Sequence, residues 1–170
     1  METASGRLTV TGINDLATKY PNLADEWHPR KNEELSPQDV SAYCKNKVWW
    51  LGKCGHEWQA AIYSRTEGAG CPICAGKIVL SGFNDLGTKY AKLAADWHPT
   101  KNGTLTPAMF PPHSNAKVWW LGACGHEWEA AITVRTRGNS CPFCAGQKVL
   151  RGFNDLQTVF PQIAKQWHPT

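Results

Sequence analysis

The sequence predicts a small α+β protein made of two tandem units, each a β-hairpin followed by a cysteine knuckle, with short helices before, between and after them. Three observations lead there. The chain repeats itself every 70 residues, so that Asn14, Asn84 and Asn154 fall in register, as do Trp27, Trp97 and Trp167. Residues 47–75 read KVWWLGKCGHEWQAAIYSRTEGAGCPICA and residues 117–145 read KVWWLGACGHEWEAAITVRTRGNSCPFCA, each bringing three cysteines and one histidine into a short span. The stretches outside these spans carry apolar residues at helical spacing. The expected organisation is a first helix plus hairpin unit over 12–80, a second over 81–150, and a partial third repeat over 151–170 that caps the array.

The helical segments come first in each repeat. Leu16, Ala17, Tyr20, Leu23, Ala24 and Trp27 lie on one stripe of period 3.6. Asn14 or Asp15 is the expected N-cap, with Gly12 as the preceding turn residue. Pro21 and Pro161 interrupt the first and third copies, whereas Ala91 fills the middle one, so the middle helix is expected to run straighter. Pro29, Pro99 and Pro169 end each helix and hold the preceding histidine extended. The connecting stretches then offer Ser36 and Thr106 as N-caps, with Pro37 and Pro107 at the first helical position.

Two strands follow. Residues 47–51 are rich in Val and Trp, and residues 57–63 alternate, with Trp58, Ala60 and Ile62 on one face. Gly52 and Gly55 supply the turn between them. Cys54 and His56 sit at i and i+2 around that turn, so in an extended backbone both side chains point to the same side. Glycine-rich loops lead to Cys71-Pro-Ile-Cys74 and Cys141-Pro-Phe-Cys144. In such knuckles backbone amides donate to thiolates, and a following glycine takes a positive φ.

Cys54, His56, Cys71 and Cys74 thus form one set of ligands, and Cys124, His126, Cys141 and Cys144 a second. Three thiolates and an imidazole are what a tetrahedral zinc ion takes, and four protein ligands describe a closed structural site. Two zinc ions are expected, with an apparent binding energy of ~10–16 kcal/mol each coupled to folding. Units of about 70 residues bury little core and gain from such a staple. Cys44 is the odd cysteine; its counterpart is Ser114, and it reads as a free thiol. His28, His98 and His168 stand in Trp-His-Pro turns, where a histidine bonded to backbone competes with one that assists a metal or a phosphate.

An odd cysteine total, C-x-x-C spacing and the absence of an apolar signal segment in METASGRLTV point to a reducing, cytoplasmic setting rather than a disulfide scaffold. No apolar run approaches the ~20 residues needed to span a bilayer. The formal net charge is +4, and two zinc sites of three thiolates each would lower it to about +2. A weakly basic chain permits a nucleic-acid partner without requiring one. The nine tryptophans all fall at repeated positions. Most are read as core filler for units of few residues, with one ring of each Trp-Trp pair on either face of its strand.

The combined pattern GFNDL…WHP…KN…LTP…KVWW…GHEW…RT…CPxCAG resembles the bacterial zinc-ribbon or treble-clef zinc-finger repeat family, which occurs in tandem arrays. The resemblance runs from about Gly12 to Thr170. It implies a small zinc-binding fold, sometimes joined to nuclease-like domains, and a nucleic-acid role. One feature departs from the pattern: many members space the first pair as Cys-x-x-x-His, and here it is Cys54-Gly-His56.

The functional expectation is a non-enzymatic module that binds nucleic acid, DNA being favoured. The residues assigned to contact are Lys47, Trp49 and Arg65 in the first unit and Lys117, Trp119, Arg135, Arg137 and Lys148 in the second. Lys and Arg beside a paired Trp hold phosphates while an exposed ring stacks on a base. Arg65 and Arg135 also admit a structural reading, bonded to knuckle carbonyls or packed over a Trp face. A protein-interaction scaffold is the alternative, with a protein partner meeting the aromatic faces. No nucleophile–base pair, paired carboxylates or open metal position points to an enzyme.

Overall fold

A computed structural model describes residues 9–167. His168 and the other terminal residues lie outside the described residues. The chain divides into two compact units, Met1–Ile78 and Val79–Thr170, so the third helical segment belongs to the second unit.

Each repeat opens on a capped turn. Asp15, not Asn14, is the N-cap of α1 (Leu16–Lys19): its carboxylate accepts the Thr18 amide at 2.8 Å and the Gly12 amide at 2.6 Å. Asn14 closes the turn before it, accepting the Val10 amide at 2.6 Å. Gly12 takes φ 80°, where a side chain would be strained. The same device recurs at Asp85 before α4 (Leu86–Lys89) and at Asp155 before α7 (Leu156–Val159).

A second short helix follows at once: α2 (Pro21–Ala24), α5 (Ala91–Ala94) and α8 (Pro161–Ala164). The middle copy was expected to run straighter, and it does not. Tyr90 breaks the helix at φ −135°, ψ 55°, close to −137°, 65° at Tyr20 and −133°, 67° at Phe160. Proline is therefore tolerated at this break rather than causing it. The break turns the second helix so that Leu93 and Trp97 pack with Tyr90 against the core that buries Leu86.

The hairpins pair β1 (Lys47–Leu51) with β2 (Glu57–Ala61), and β3 (Lys117–Leu121) with β4 (Glu127–Ala131). The register places Trp50 opposite Trp58 and Trp49 opposite Gln59. Alternation sends Val48, Trp50 and Trp58 inward and leaves Lys47, Glu57 and Gln59 exposed on the other face. The second strand is shorter than the alternation suggested. Pairing stops at Ala61, and Ile62 opens α3 (Ile62–Thr66), as Ile132 opens α6 (Ile132–Thr136). Ile62 is fully buried all the same, so the periodic signal was met by a helix as well as it would be by a strand. Gly52 lets the turn pass the Trp58 ring, which a Cβ there would meet at 2.8 Å.

The first core gathers Leu16, Val40, Cys44, Val48, Trp50, Trp58 and Ile62, with Tyr20, Leu23 and Trp27 against it. Trp27 meets Trp50 edge-on at 5.6 Å, a favoured aromatic geometry. The outer edge of β1 is closed by the segment after the helices. Leu51 donates to the Glu26 carbonyl at 2.8 Å, and His28 donates its amide to the Trp49 carbonyl at 3.1 Å. Asn32 bonds both backbone groups of Trp49, at 2.7 and 2.9 Å. Helix pair and hairpin thus form one core. In the connecting stretch Thr106 precedes a one-turn 3₁₀ helix, Pro107–Met109, without a side-chain cap bond. Ser36 instead bonds Asp39 in a turn.

Candidate metal centre

Cys54 and His56 flank Gly55 in the hairpin turn, which Gly52 closes by donating to the His56 carbonyl at 3.0 Å. Gly55 adopts φ 78°, a conformation that brings its two neighbours round to one side. Cys71 and Cys74 come from a knuckle beyond α3. Its own bonds hold it: Ala75 donates to the Cys71 carbonyl, Lys77 to that of Pro72, and the Cys74 amide points at the Cys71 sulfur at 3.5 Å.

The turn and knuckle bring all four donor atoms within 4.8 Å of one another in both units. His56 Nδ1 lies 3.6 Å from Cys71 Sγ and 3.3 Å from Cys74 Sγ. His126 Nδ1 lies 3.5 and 3.4 Å from its two sulfurs. Zn–S and Zn–N bonds of about 2.3 and 2.0–2.1 Å at tetrahedral angles put S and N roughly 3.6 Å apart. The two sets therefore fit two zinc ions, one each. Phe143 and Phe153 flank the His126 ring, at 5.5 and 4.3 Å between centroids.

The thiols divide electrostatically. The His126 amide stabilises the Cys124 thiolate and lowers its pKa to about 7, whereas Cys144, desolvated at its sulfur and bonded to Cys124 and Cys141, is pushed up to about 11. Cys54 is lowered and Cys74 raised for the same reasons. Such a set sheds its last protons readily only beside a cation. Cys44 lies apart, buried in the first core, and is not among the ligands.

Around the centres, the expected contact residues separate into two groups. Arg65 and Arg135 are among the buried residues. Arg65 pairs with Glu26, donates to the Ala69 carbonyl, and lies 5.1 Å over both Trp50 and Trp58. Arg135 repeats this with Asp96 at 2.5 Å, the Asn139 carbonyl, Trp120 and Trp128. Each guanidinium joins helix pair, hairpin and knuckle loop. Both make the carbonyl bonds and tryptophan contacts of the structural alternative. Lys47, Lys117, Arg137 and Lys148 are exposed, and Trp49 and Trp119 are half-buried on the outer hairpin faces.

The sequence reading missed the companions of those rings. Lys31 lies 4.4 Å over Trp49 and Lys101 4.6 Å over Trp119. Each lysine also pairs with a carboxylate, Glu57 or Glu127, whose pKa the lysine and then the turn histidine hold below the usual range. His28 and His98 are buried; His98 Nδ1 accepts the Thr100 and Lys101 amides, and His28 Nδ1 those of Arg30 and Lys31. They organise the turn and take no part in the ligand sets. The shared Lys-Asn after each Trp-His-Pro was the available signal.

A hairpin, a short helix and a knuckle around four Cys and His ligands define a structural zinc finger, twice over. Both copies match one family described as probable treble clef zinc finger domain, over residues 23–77 and 93–147. The chain belongs to this family. No curated protein matches it at a significant level. Among the described residues no helix is long and apolar enough to cross a membrane.

Proposed function

We propose that this structural zinc repeat binds nucleic acid, DNA foremost, through the outer hairpin faces and exposed basic side chains, and that it catalyses no reaction itself. The observation that carries this reading is the pairing of a half-exposed tryptophan with lysines on each outer face: Lys47, Trp49 and Lys31, then Lys117, Trp119 and Lys101. The inner face of each hairpin is committed to the core, so the outer ring is held at low entropic cost; a base that displaces Lys31 or Lys101 from over it can stack there while Lys47 or Lys117 meets phosphate. Arg137 and Lys148 extend the basic surface of the second unit. Four protein ligands per metal leave no position for substrate or water, which supports the non-enzymatic part. None of the seven cysteines is in a disulfide, which suits a reducing compartment, the cytoplasm in this reading.

The test is a titration of the protein, with two bound zinc ions verified, against duplex and single-stranded DNA at two salt concentrations. Affinity should fall steeply with salt. Absence of binding at low salt overturns the reading. A protein-interaction scaffold would then lead, on one observation: Leu156, Phe160, Ile163 and Trp167 stand exposed on the last helix pair.

A further inference from the structure

We infer that the two units divide this contact unequally: the first hairpin is the principal nucleic-acid surface, and Glu129 disables the corresponding face of the second. The inference rests on the nucleic-acid reading above. Its basis is a comparison that the protein makes with itself.

The two hairpins have the same register, the same burial pattern and a lysine over the outer tryptophan at nearly the same distance. They differ at exposed positions that packing does not constrain. In and beside the strands Lys45 becomes Asn115, Lys53 becomes Ala123 and Gln59 becomes Glu129, whereas beyond the strands the change runs the other way, Glu67 becoming Arg137. In both units the lysine over the ring is paired with a glutamate, Lys31 with Glu57 and Lys101 with Glu127. What remains on and beside the first hairpin is Lys45, Lys47 and Lys53, three cations without an ion pair among the described residues. What remains on the second is Lys117 against Glu129, no net charge.

Position decides the rest. Glu129 lies directly across the ladder from Trp119, where the first unit has Gln59 across from Trp49. Facing side chains in such a pair have Cβ atoms about 4.5–5.5 Å apart. A phosphate brought to the Trp119 ring therefore sits well inside the ~8 Å Debye length of a carboxylate. Glu129 also lines a cleft of about 260 Å³ together with Lys148, so it offsets that cation as well. Gln59, by contrast, offers an amide donor and no charge.

The experiment compares variants of the full two-zinc chain for binding to fluorescently labelled single-stranded and duplex DNA across a salt series. Every substituted side chain is exposed, and zinc content of two per chain verifies the fold. Lys47→Ala with Lys53→Ala should weaken binding about tenfold or more and reduce the salt slope by roughly two, as expected for two phosphate contacts. Lys117→Ala should weaken it less than about twofold, and Glu129→Gln should strengthen it severalfold. Equal losses from the two hairpins, or no gain with Glu129→Gln, would overturn the division while leaving the nucleic-acid reading standing. Failure of the unsubstituted chain to bind would overturn the nucleic-acid reading and the division with it.

Discussion

The first two helix pairs and the third have one design and opposite surroundings. Leu16 and Leu86 are fully buried; Leu156, at the same repeat position, is 39% exposed. Trp27 and Trp97 pack edge-on against a hairpin tryptophan, whereas Trp167 is 75% exposed. Yet the Asp cap and the break between the two short helices are the same in all three. Local geometry is therefore written into the segment itself, through the cap and the turn before it. Burial comes from the hairpin. Four-residue helices are far below the length that persists alone in water, so in the first two copies the hairpin, and through it the zinc, supplies most of what holds them.

The largest effect should come from making the second pair resemble the third. Cys141→Ser removes a ligand and forfeits metal binding worth ~10–16 kcal/mol. Zinc content should fall from two to one, with α4 and α5 losing protection in hydrogen exchange while α1 and α2 keep theirs. Next, Leu86→Ala should destabilise the second unit by ~2–5 kcal/mol, whereas Leu156→Ala should change its stability by less than about 0.5 kcal/mol. Urea denaturation of the two variants checks this; equal costs would mean that the third pair is covered in solution. Asp96→Ala strands the Arg135 guanidinium. The expected loss is about 2–3 kcal/mol, below the ~3–5 of a fully buried pair because the aspartate keeps partial solvent contact.

Smallest is the cap. Asp85→Ala should cost ~1 kcal/mol of second-unit stability, read as a shift in urea midpoint. The Thr88 hydroxyl, followed by backbone amides, holds the Asp85 carboxyl below its ordinary 3.8. Its contribution is thus complete above that value and is lost as pH falls through the lowered one. Protons compete with the metal for thiolates, which as a class hold them far more tightly than carboxylates do. Acid titration should accordingly release zinc, seen with a chromogenic chelator, before the cap effect disappears.

The metal centres were legible because their chemistry depends on short spacings and on repetition: Cys-Gly-His around a turn and Cys-Pro-x-Cys in a knuckle need nothing from distant chain. The hairpins and the Asp or Asn choice of cap were legible for the same reason. What could not be read depended on partners far along the sequence. Arg65 admitted both a phosphate contact and a structural role because Glu26, 39 residues away, is not visible in its neighbourhood. Ile62 fitted a strand because a helix starting there buries the same side chain. Proline suggested where two copies break, but the middle copy breaks without it, for the sake of placing Leu93 and Trp97. The alternation of Trp49 and Trp50 set them on opposite faces without saying which face was covered; the helix pair decides that.

The outermost ligands carry one more consequence. Cys54, Cys74, Cys124 and Cys144 are exposed, so solvent reaches each metal centre without the chain having to unfold. A chelator or an oxidant can approach the rim of each ligand set in the folded protein. Exchange of the metal should then run on the clock of ligand substitution, not on that of unfolding, with a chelator removing zinc faster than the chain unfolds. The ion that fixes these units most firmly at equilibrium should then be one they can replace without unfolding.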